Sequence, residues 1–434
     1  MPQAPVAVLG AGIAGLTAAR TLSRAGRPVV LYEASAHPAG LAAGRSEDGW
    51  HLDTGAHFVT NRLARELGAA ELCRPVDRYG EVVWLRGKAV SYPLGLLAQP
   101  AYVASALQAR LHRGPRPVTA AAWFRGQYGA RLADEVALPL LEAWSGLPAD
   151  ELAASVGEKI PGSLAGTLWL SAAKRVTHRP VAVGYCGSRP ESARVWHVYP
   201  RSGGVAALLR PSVEELGDRI KLESPVQSVV IEDGAVRAVR VGGEEQEVSG
   251  VVSSAPAPVL PRLVEGTAAL EPLRALTFRP MTFVTLRFEG RRLLPDVVTW
   301  TPEADAPYFR LTETPLATPW LAPEGKTQIT ADIGCAVGDA TWTATPEELA
   351  ERCLAHLVQI IPDARQRLLG VQVQRSPIAY PVFALSTEPV RQQLERGTGV
   401  RGLLSVGRNG AFGHLLMEDV YWGTRDLVEA ELLG

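Results

Sequence analysis

The sequence predicts an α/β protein in which a βαβ unit with parallel strands is joined to an α+β region. Val6–Leu9 is a short apolar run, typical of a strand that is buried on both faces. Apolar residues then recur with helical spacing from Ile13 to Ser23, and Gly26 follows as a plausible C-cap. A second apolar run lies at Val29–Tyr32. Strand, helix and strand within about 30 residues form a complete βαβ unit.

Three glycines separate the first strand from the helix. Gly10 permits a tight turn, Gly12 lets a pyrophosphate approach the backbone, and Gly15 lets the helix pack closely on the strand. The helix N-terminus offers N–H groups and a partial positive charge to phosphate. Glu33 ends the second strand, where it can accept hydrogen bonds from ribose hydroxyls and repels a 2′-phosphate. The pattern predicts a dinucleotide site; the alternative is a glycine-rich helix packed for structure alone.

Composition excludes several classes of protein. The chain has 434 residues, 47% hydrophobic and 21% charged, and a formal net charge of −1, so we expect a globular protein without a nucleic-acid partner. Its four cysteines show no metal-ligand or disulfide spacing, so we expect no metal site.

No secretory leader and no apolar run of about 18 residues occurs, which favours a cytoplasmic protein. Composition leaves peripheral membrane contact open, and we expect a monomer or homodimer.

Two segments carry a family resemblance. The first is "HPAGLAAGRSEDGWHLDTGAHFVTN" at 37–61, and the second is "LLSVGRNGAFGHLLMEDVYWGTRDLVEAEL" at 403–432. Together they resemble the flavin-containing amine oxidase superfamily, which includes protoporphyrinogen oxidases, carotenoid desaturases and, more distantly, UDP-galactopyranose mutases. Residues in the first segment that match the family pattern are Gly40, Gly49, Asp53, Gly55 and His57. Ala39 and Ala43 depart from it, and Arg45 lies two residues beyond the usual arginine position.

The resemblance implies a Rossmann-like, GR2-type FAD-binding domain that is discontinuous in sequence, with an α+β substrate domain. We expect the FAD domain to comprise residues 1–72, 195–257 and 396–434. A mostly helical insert at 73–194 and an antiparallel-sheet insert at 258–395 would form the substrate domain. Within these regions we also predict an Asp233-Gly234 hairpin and a helix capped by Thr345 and Glu348.

The resemblance further implies which residues bind FAD. In the family, the backbone of the residue matching Val226 meets the adenine, and the last helix directs its N-terminus at the flavin, where it stabilises negative charge. The implied cofactor-binding residues are Gly10, Gly12, Ala14, Gly15, Glu33, Ala34, Gly40, Arg45, Gly55, Ala56, His57, Val226, Gly407, Arg408, Glu418, Asp419 and Val420. No cysteine follows residue 353, so the C-terminal cysteinyl link of some family members is absent and we predict noncovalent FAD.

A flavin performs the electron transfer itself, so a catalytic side chain need not be prominent in the sequence. His57 is the predicted catalytic residue because the resemblance places it beside the isoalloxazine; a structural histidine is the alternative. His414 is a second histidine that could line the flavin, or else a loop residue. Possible substrate-pocket residues, which could equally belong to the core, are Trp84, Tyr92, Tyr199, Trp300, Tyr308 and Arg310.

Three functions remain open at this stage. The first is an FAD-dependent oxidoreductase that removes hydride from a C–H or N–H bond of a small organic substrate. Gly-x-Gly-x-x-Gly joins an apolar strand pattern to a following helical pattern only at Gly10–Gly15, so we expect oxygen or another acceptor to reoxidise the flavin, or NADPH to dock in the substrate site. The second is a non-redox mutase resembling UDP-galactopyranose mutase, and the third is a catalytically degenerate flavin-binding protein.

Overall fold

The computed structural model describes residues 3–53, 58–92, 94–111, 115–159, 164–183 and 186–434. Its strands are β1 Val6–Leu9, β2 Val29–Tyr32, β3 Arg45–Glu47, β4 Trp50–Leu52, β5 Val59–Thr60, β6 Cys73–Pro75, β7 Glu81–Leu85, β8 Lys88–Ser91, β9 His197–Pro200, β10 Ile220–Lys221, β11 Val226–Glu232, β12 Ala235–Val241, β13 Glu244–Glu247, β14 Gly250–Ser253, β15 Val264–Glu265, β16 Thr277–Glu289, β17 Val298–Trp300, β18 Arg310–Thr312, β19 Lys326–Gly334, β20 Leu368–Val382 and β21 Leu403–Ser405.

The helices connect these strands and cover the sheets. They are α1 Ile13–Arg24, α2 Asn61–Glu66, α3 Leu94–Leu97, α4 Pro100–Leu111, α5 Ala120–Tyr128, α6 Ala130–Leu132, α7 Leu138–Ser145, α8 Leu164–Thr177, α9 Arg210–Leu216, α10 Leu260–Leu263, α11 Thr314–Ala317, α12 Ala340–Thr343, α13 Pro346–Leu357, α14 Ala364–Arg367, α15 Glu388–Glu395, α16 Gly407–Gly410 and α17 Met417–Val428. Among the described residues, no helix combines the length and apolar character needed to cross a membrane.

The predicted βαβ unit lies at the centre of a parallel sheet. The strand order is β10-β2-β1-β14-β21, and every pairing is parallel. Strands β1, β14 and β21 are far apart in sequence, so the sheet is assembled from widely separated pieces of the chain. Val6–Leu9 is fully or almost fully buried, as its apolar sequence predicts, because α1 packs on one face of the strand and residues of β11 and β12 belong to the core on the other face. The α/β class with a Rossmann-like sheet is therefore confirmed.

A second, seven-stranded sheet has the order β20-β16-β19-β18-β17-β7-β8. It is antiparallel except where β17 pairs with β7 in parallel. Strands β16, β17, β18 and β19 lie within residues 258–395, the region expected to form an antiparallel sheet. Strands β7 and β8 lie near the start of the mostly helical insert, where "EVVWLRGKAVSYPL" at 81–94 predicts two strands, and they form one edge of this sheet.

Local signals in the sequence predict several details correctly. Thr345 caps α13 and the Glu348 side chain returns to the Thr345 backbone, completing a capping box. Asp233 and Gly234 both adopt positive φ, 51° and 72°, as the turn between β11 and β12 requires. Within the insert predicted to be mostly helical, α5 ends before Gly129, where φ is 80°. A Cβ on Gly129 would lie 2.4 Å from the Ser105 carbonyl carbon, so the close approach of α4 requires glycine there.

Candidate functional site

The glycine loop has the geometry of a phosphate cradle. Gly10 has a φ of 97°, and a Cβ on Gly15 would lie 1.8 Å from the Gly10 carbonyl oxygen, so both positions require glycine. Gly12 differs, because a Cβ there would meet nothing closer than 3.9 Å. Gly12 also precedes α1 without any side-chain cap on that helix. The loop thus leaves space above Gly12 next to the N–H groups of the first helical turn.

The Glu33 carboxylate connects the glycine loop to the residues that follow β2 by hydrogen bonds. Its Oε2 accepts a hydrogen bond from the Ala11 N–H at 2.7 Å, and its Oε1 accepts from the Ser35 N–H and hydroxyl at 2.9 and 2.7 Å. The Ser224 N–H donates to the Glu33 carbonyl at 2.8 Å, which brings the start of β11 at Val226 beside the same end of the loop. Ala34 is exposed there. The structure therefore brings together Glu33, Ala34 and Val226, the residues predicted to bind the adenosine part of FAD.

The loop after β2 closes over the glycines. The Ala39 N–H donates to the Ala11 carbonyl at 2.9 Å, and a Cβ on Gly40 would lie 3.2 Å from Gly12 Cα. Ala39 adopts a φ of 109°, a conformation that L side chains rarely adopt. This explains why the family pattern has glycine at that position, and it shows that the alanine is accommodated under backbone strain.

Asp53 connects this loop to the segment before α9. Its Oδ1 accepts from the Val205 N–H at 3.2 Å, and Cβ atoms on Gly44 or Gly204 would lie 2.7 and 2.8 Å from the same oxygen. Burial raises the pKa of Asp53 to about 7, and the bond from Val205 offsets only part of that shift. Gly55, Ala56 and His57 follow directly, but they lie outside the described residues, so their predicted roles stay predictions.

The C-terminal segment packs on the start of α1. A Cβ on Gly407 would lie 2.8 Å from the Ala14 Cβ, and Gly407 has a φ of 79°. Gly407 is thus a position where only glycine fits without displacement. This contact places α16, which includes Arg408, beside the glycine loop, so the predicted residues from the two ends of the chain meet.

The acidic residues of α17 are occupied by protein partners. Glu418 is fully buried, and its carboxylate accepts from the Thr60 hydroxyl at 2.9 Å and from Arg62 Nε at 2.5 Å. Asp419 accepts from the N–H groups of Gly187 and Ser188, both at 3.0 Å. It also accepts from the Leu416 N–H at 3.2 Å, as an N-terminal cap of the helix does. Their side chains therefore position α17, and Val420 is buried beneath them.

A charged cluster joins the cofactor domain to the seven-stranded sheet. The Arg408 guanidinium lies over the Tyr380 ring, 4.5 Å from its centroid, and Arg310 Nη2 donates to the Tyr380 hydroxyl at 3.4 Å. Arg310 forms an ion pair with Asp332. Burial lowers the pKa of Arg408, and Tyr380 offsets part of that effect. Among the described residues no carboxylate pairs with Arg408, so this cluster carries excess positive charge.

Aromatic rings form the walls around this cluster. Trp144 stacks on Tyr380 with a centroid distance of 5.6 Å, and it contacts the ring of His414 at 4.5 Å. His414 is buried rather than a surface loop residue. Trp300 lies on the other side, with its ring centroid 5.5 Å from the Arg310 guanidinium carbon. The sequence did not single out Trp144, Tyr380 or Asp332, because no local motif marks them.

Other predicted residues lie elsewhere. Tyr308 contacts His356 through its hydroxyl at 2.9 Å within a separate core, and Arg45 is exposed beside Glu47 at 3.7 Å. Tyr92 is 44% exposed, whereas Trp84 and Tyr199 are buried. Of the six predicted substrate-pocket residues, the structure therefore brings only Trp300 and Arg310 to the charged cluster.

Comparison with known protein families identifies the family to which the chain belongs. The sequence matches the flavin containing amine oxidoreductase family over residues 13–407. The chain belongs to this family. The matched range begins directly after Gly12 and ends at Gly407, so it includes Gly15 together with Arg310, Asp332 and Tyr380 of the charged cluster. FAD is the cofactor of the protein.

Solved structures share the fold at low sequence identity. Reduced UDP-galactopyranose mutase is 16% identical with a TM-score of 0.78, covering 98% of this chain and 95% of that one. A protein from Exiguobacterium sp. 255-15, provisionally named a protoporphyrinogen oxidase, is 19% identical with a TM-score of 0.71 and full coverage of both chains. Putrescine oxidase bound to putrescine is 17% identical with a TM-score of 0.68, covering 100% of this chain and 99% of that one.

The residues present fit FAD. The free space above Gly12 and the uncapped start of α1 suit a pyrophosphate, and the Glu33 carboxylate lies where a ribose would be held. Arg408 Nε is buried without a hydrogen-bond partner among the described residues, as expected of a side chain that faces an absent anionic or polar group.

Proposed function

We propose that this protein is an FAD-dependent oxidoreductase that takes hydride from a C–H or N–H bond of a small organic substrate. The observation that carries the proposal is the cluster of Arg408, Tyr380, Arg310 and Asp332, which lies between the cofactor domain and the seven-stranded sheet. FAD supplies the two-electron acceptor when bound. Oxygen or another acceptor would reoxidise it, because the second Gly-x-Gly-x-x-Gly of the sequence, at 397–402, leads from α15 into β21 and does not connect a strand to a helix as a dinucleotide loop does.

The residues of the cluster would bind and orient the substrate and exclude water. Trp144, Trp300 and Tyr380 offer flat apolar faces, and Arg310 is held in one orientation by Asp332. With Arg310 and Arg408 against one carboxylate, the cluster repels a protonated amine and favours a substrate with an acidic group. Substrate preference in this chain would therefore differ from that of an oxidase for simple polyamines.

The test is anaerobic reduction of the purified flavoprotein. We expect one or more compounds that carry both a carboxylate or phosphate and an oxidisable C–H or N–H bond to abolish the visible absorbance of the oxidised flavin. Putrescine and other simple amines should leave it unchanged. The variant Arg310→Met should lose the response to acidic compounds while it retains its flavin. Reduction by amines alone would contradict the proposed substrate preference.

A non-redox mutase is the second candidate. The likeness to reduced UDP-galactopyranose mutase and the two arginines of the cluster favour it, since a diphosphate needs cationic partners. The discriminating measurement uses chemically reduced protein with UDP-galactopyranose and follows the sugar ring form by chromatography. Ring contraction without net flavin oxidation would establish the mutase and exclude the oxidoreductase as the main activity.

A further inference from the structure

A cavity of about 600 Å³ lies away from the charged cluster, between α2 and the segment 179–196. Its lining is unusually rich in arginine. The residues that matter here are Asn61, Arg62, Arg65, Arg179, Arg194 and Trp196. This volume falls within the range of pockets that bind small molecules, about 300–1,000 Å³, so a small molecule rather than a macromolecule is the expected occupant.

We propose that this arginine cavity binds a small phosphate-bearing anion. In the described part of the chain, Arg65, Arg179 and Arg194 have no carboxylate partner. Arg62 pairs with Glu418 through Nε, but its Nη2 is buried and lacks a hydrogen-bond partner among the described residues. No acidic residue is among those that line the cavity. The site therefore attracts anions and repels cations.

The wall of the cavity is built by reciprocal hydrogen bonds rather than by loose side chains. The Asn61 N–H donates to the Trp196 carbonyl at 3.0 Å, and the Trp196 N–H donates to Asn61 Oδ1 at 3.1 Å. Asn61 Nδ2 donates to the Arg194 carbonyl at 3.1 Å, so one side chain fixes the backbone on which two lining residues lie.

Two of the arginines are also restrained. The Arg179 guanidinium lies over the Trp196 ring, 4.5 Å from the centroid, and Arg62 Nη1 donates to the Pro190 carbonyl at 2.9 Å. Restrained arginines lose less side-chain entropy on binding. Four arginines line this one cavity, and their guanidinium groups can donate paired N–H groups to the oxygens of a phosphate or diphosphate. The source could be inorganic pyrophosphate or an organic phosphate, and the shared chemistry is the phosphate group.

The test measures pyrophosphate and ADP binding to the FAD-loaded protein by calorimetry, so that the cofactor's own phosphate site is filled. We expect saturable binding of pyrophosphate at one site, weakened by added salt. Arg65→Ala with Arg194→Ala should weaken it by about tenfold or more, since each replaced guanidinium removes charge-assisted hydrogen bonds. Tighter binding of ADP than of pyrophosphate identifies an organic phosphate as the ligand, and equal affinity identifies the phosphate groups alone.

A matched control separates the site from general charge. Arg210→Ala with Arg396→Ala removes two exposed arginines elsewhere and changes the net charge equally. We expect this control variant to bind pyrophosphate like the unaltered protein, and both variants to keep their flavin and melting temperature. Absence of saturable binding, or equal weakening in both variants, would overturn the proposal without affecting the proposed redox function.

Discussion

Arg310 and Asp332 lie directly opposite each other on the neighbouring strands β18 and β19, and their side chains form an ion pair that is largely buried. Trp300 is the next residue across the sheet on β17. Burial lowers the pKa of Arg310, but Asp332 and Tyr380 raise it by more, so Arg310 stays charged. The pairing of β18 with β19 therefore holds the Arg310 guanidinium in one orientation. Arg310 and Arg408 of α16 both contact the side chain of Tyr380.

Breaking this pair should cost much more than breaking an exposed one. Asp332→Asn leaves the buried Arg310 charge without its partner, so we expect a loss of about 3–5 kcal/mol in the free energy of unfolding. The measurement is urea unfolding followed by circular dichroism. The control is Glu351→Gln, which removes the partner of Arg365 in an exposed pair and should leave the free energy of unfolding nearly unchanged. Similar losses in both variants would show that the Arg310–Asp332 pair is effectively solvated.

Asp53 predicts a pH dependence of stability. Its pKa in the folded protein is raised to about 7, whereas an unfolded chain has about 4. The folded state therefore binds this proton more tightly, so its contribution to stability is fully present below about pH 4 and is lost as pH rises to about 7. The loss should be at most a few kcal/mol, since Asp53 keeps partial contact with solvent.

The variant Asp53→Asn isolates this effect. It cannot ionise and can still accept the bond from the Val205 N–H. We therefore expect urea unfolding of the flavin-free variant to vary less between pH 5 and pH 8 than that of the unaltered protein. Parallel pH curves for the two proteins would mean that Asp53 titrates normally.

Sequence reasoning succeeded where the signal is local. The βαβ unit, the Thr345–Glu348 capping box and the Asp233-Gly234 turn each depend on residues a few positions apart, whose spacing alone specifies the backbone. It failed to identify Tyr380 and Asp332, because their importance arises only when β18, β19 and β20 come together in the sheet. The pairing of the buried Glu418 carboxylate with Arg62, 356 residues away in sequence, likewise has no local signal, and the cofactor role of Glu418 stays a prediction.

Gly12→Ala should separate cofactor binding from folding. Gly12 has φ of −77° and ψ of −178°, which alanine adopts freely, and its added Cβ would meet nothing within 3.9 Å. The free energy of unfolding of the flavin-free protein should change by less than about 0.5 kcal/mol. The same methyl group fills the space where a pyrophosphate would approach, so the purified variant should be colourless.

The matched control for that experiment is Gly126→Ala. Gly126 lies in α5 with nothing near its added Cβ, so this variant should keep its flavin and gain at most about 1 kcal/mol in stability. A yellow Gly12→Ala protein with unchanged FAD affinity would mean that the phosphates are held elsewhere.

Arg408→Met tests whether this arginine faces the cofactor. Arg408 has a buried Nε without a hydrogen-bond partner and no carboxylate partner among the described residues. Burial lowers its pKa and Tyr380 offsets only part of that effect, so the flavin-free protein carries an incompletely compensated buried charge. Removing that charge while keeping much of the side-chain volume should leave stability without flavin unchanged or higher. FAD affinity, measured by fluorescence titration of the flavin-free protein, should fall by about tenfold through loss of a charge-assisted hydrogen bond.

The conservative variant Arg408→Lys, which keeps the charge, should retain part of that affinity. Should Arg408→Met bind FAD normally and lose only the response to acidic substrates, Arg408 would belong to the substrate site together with Arg310.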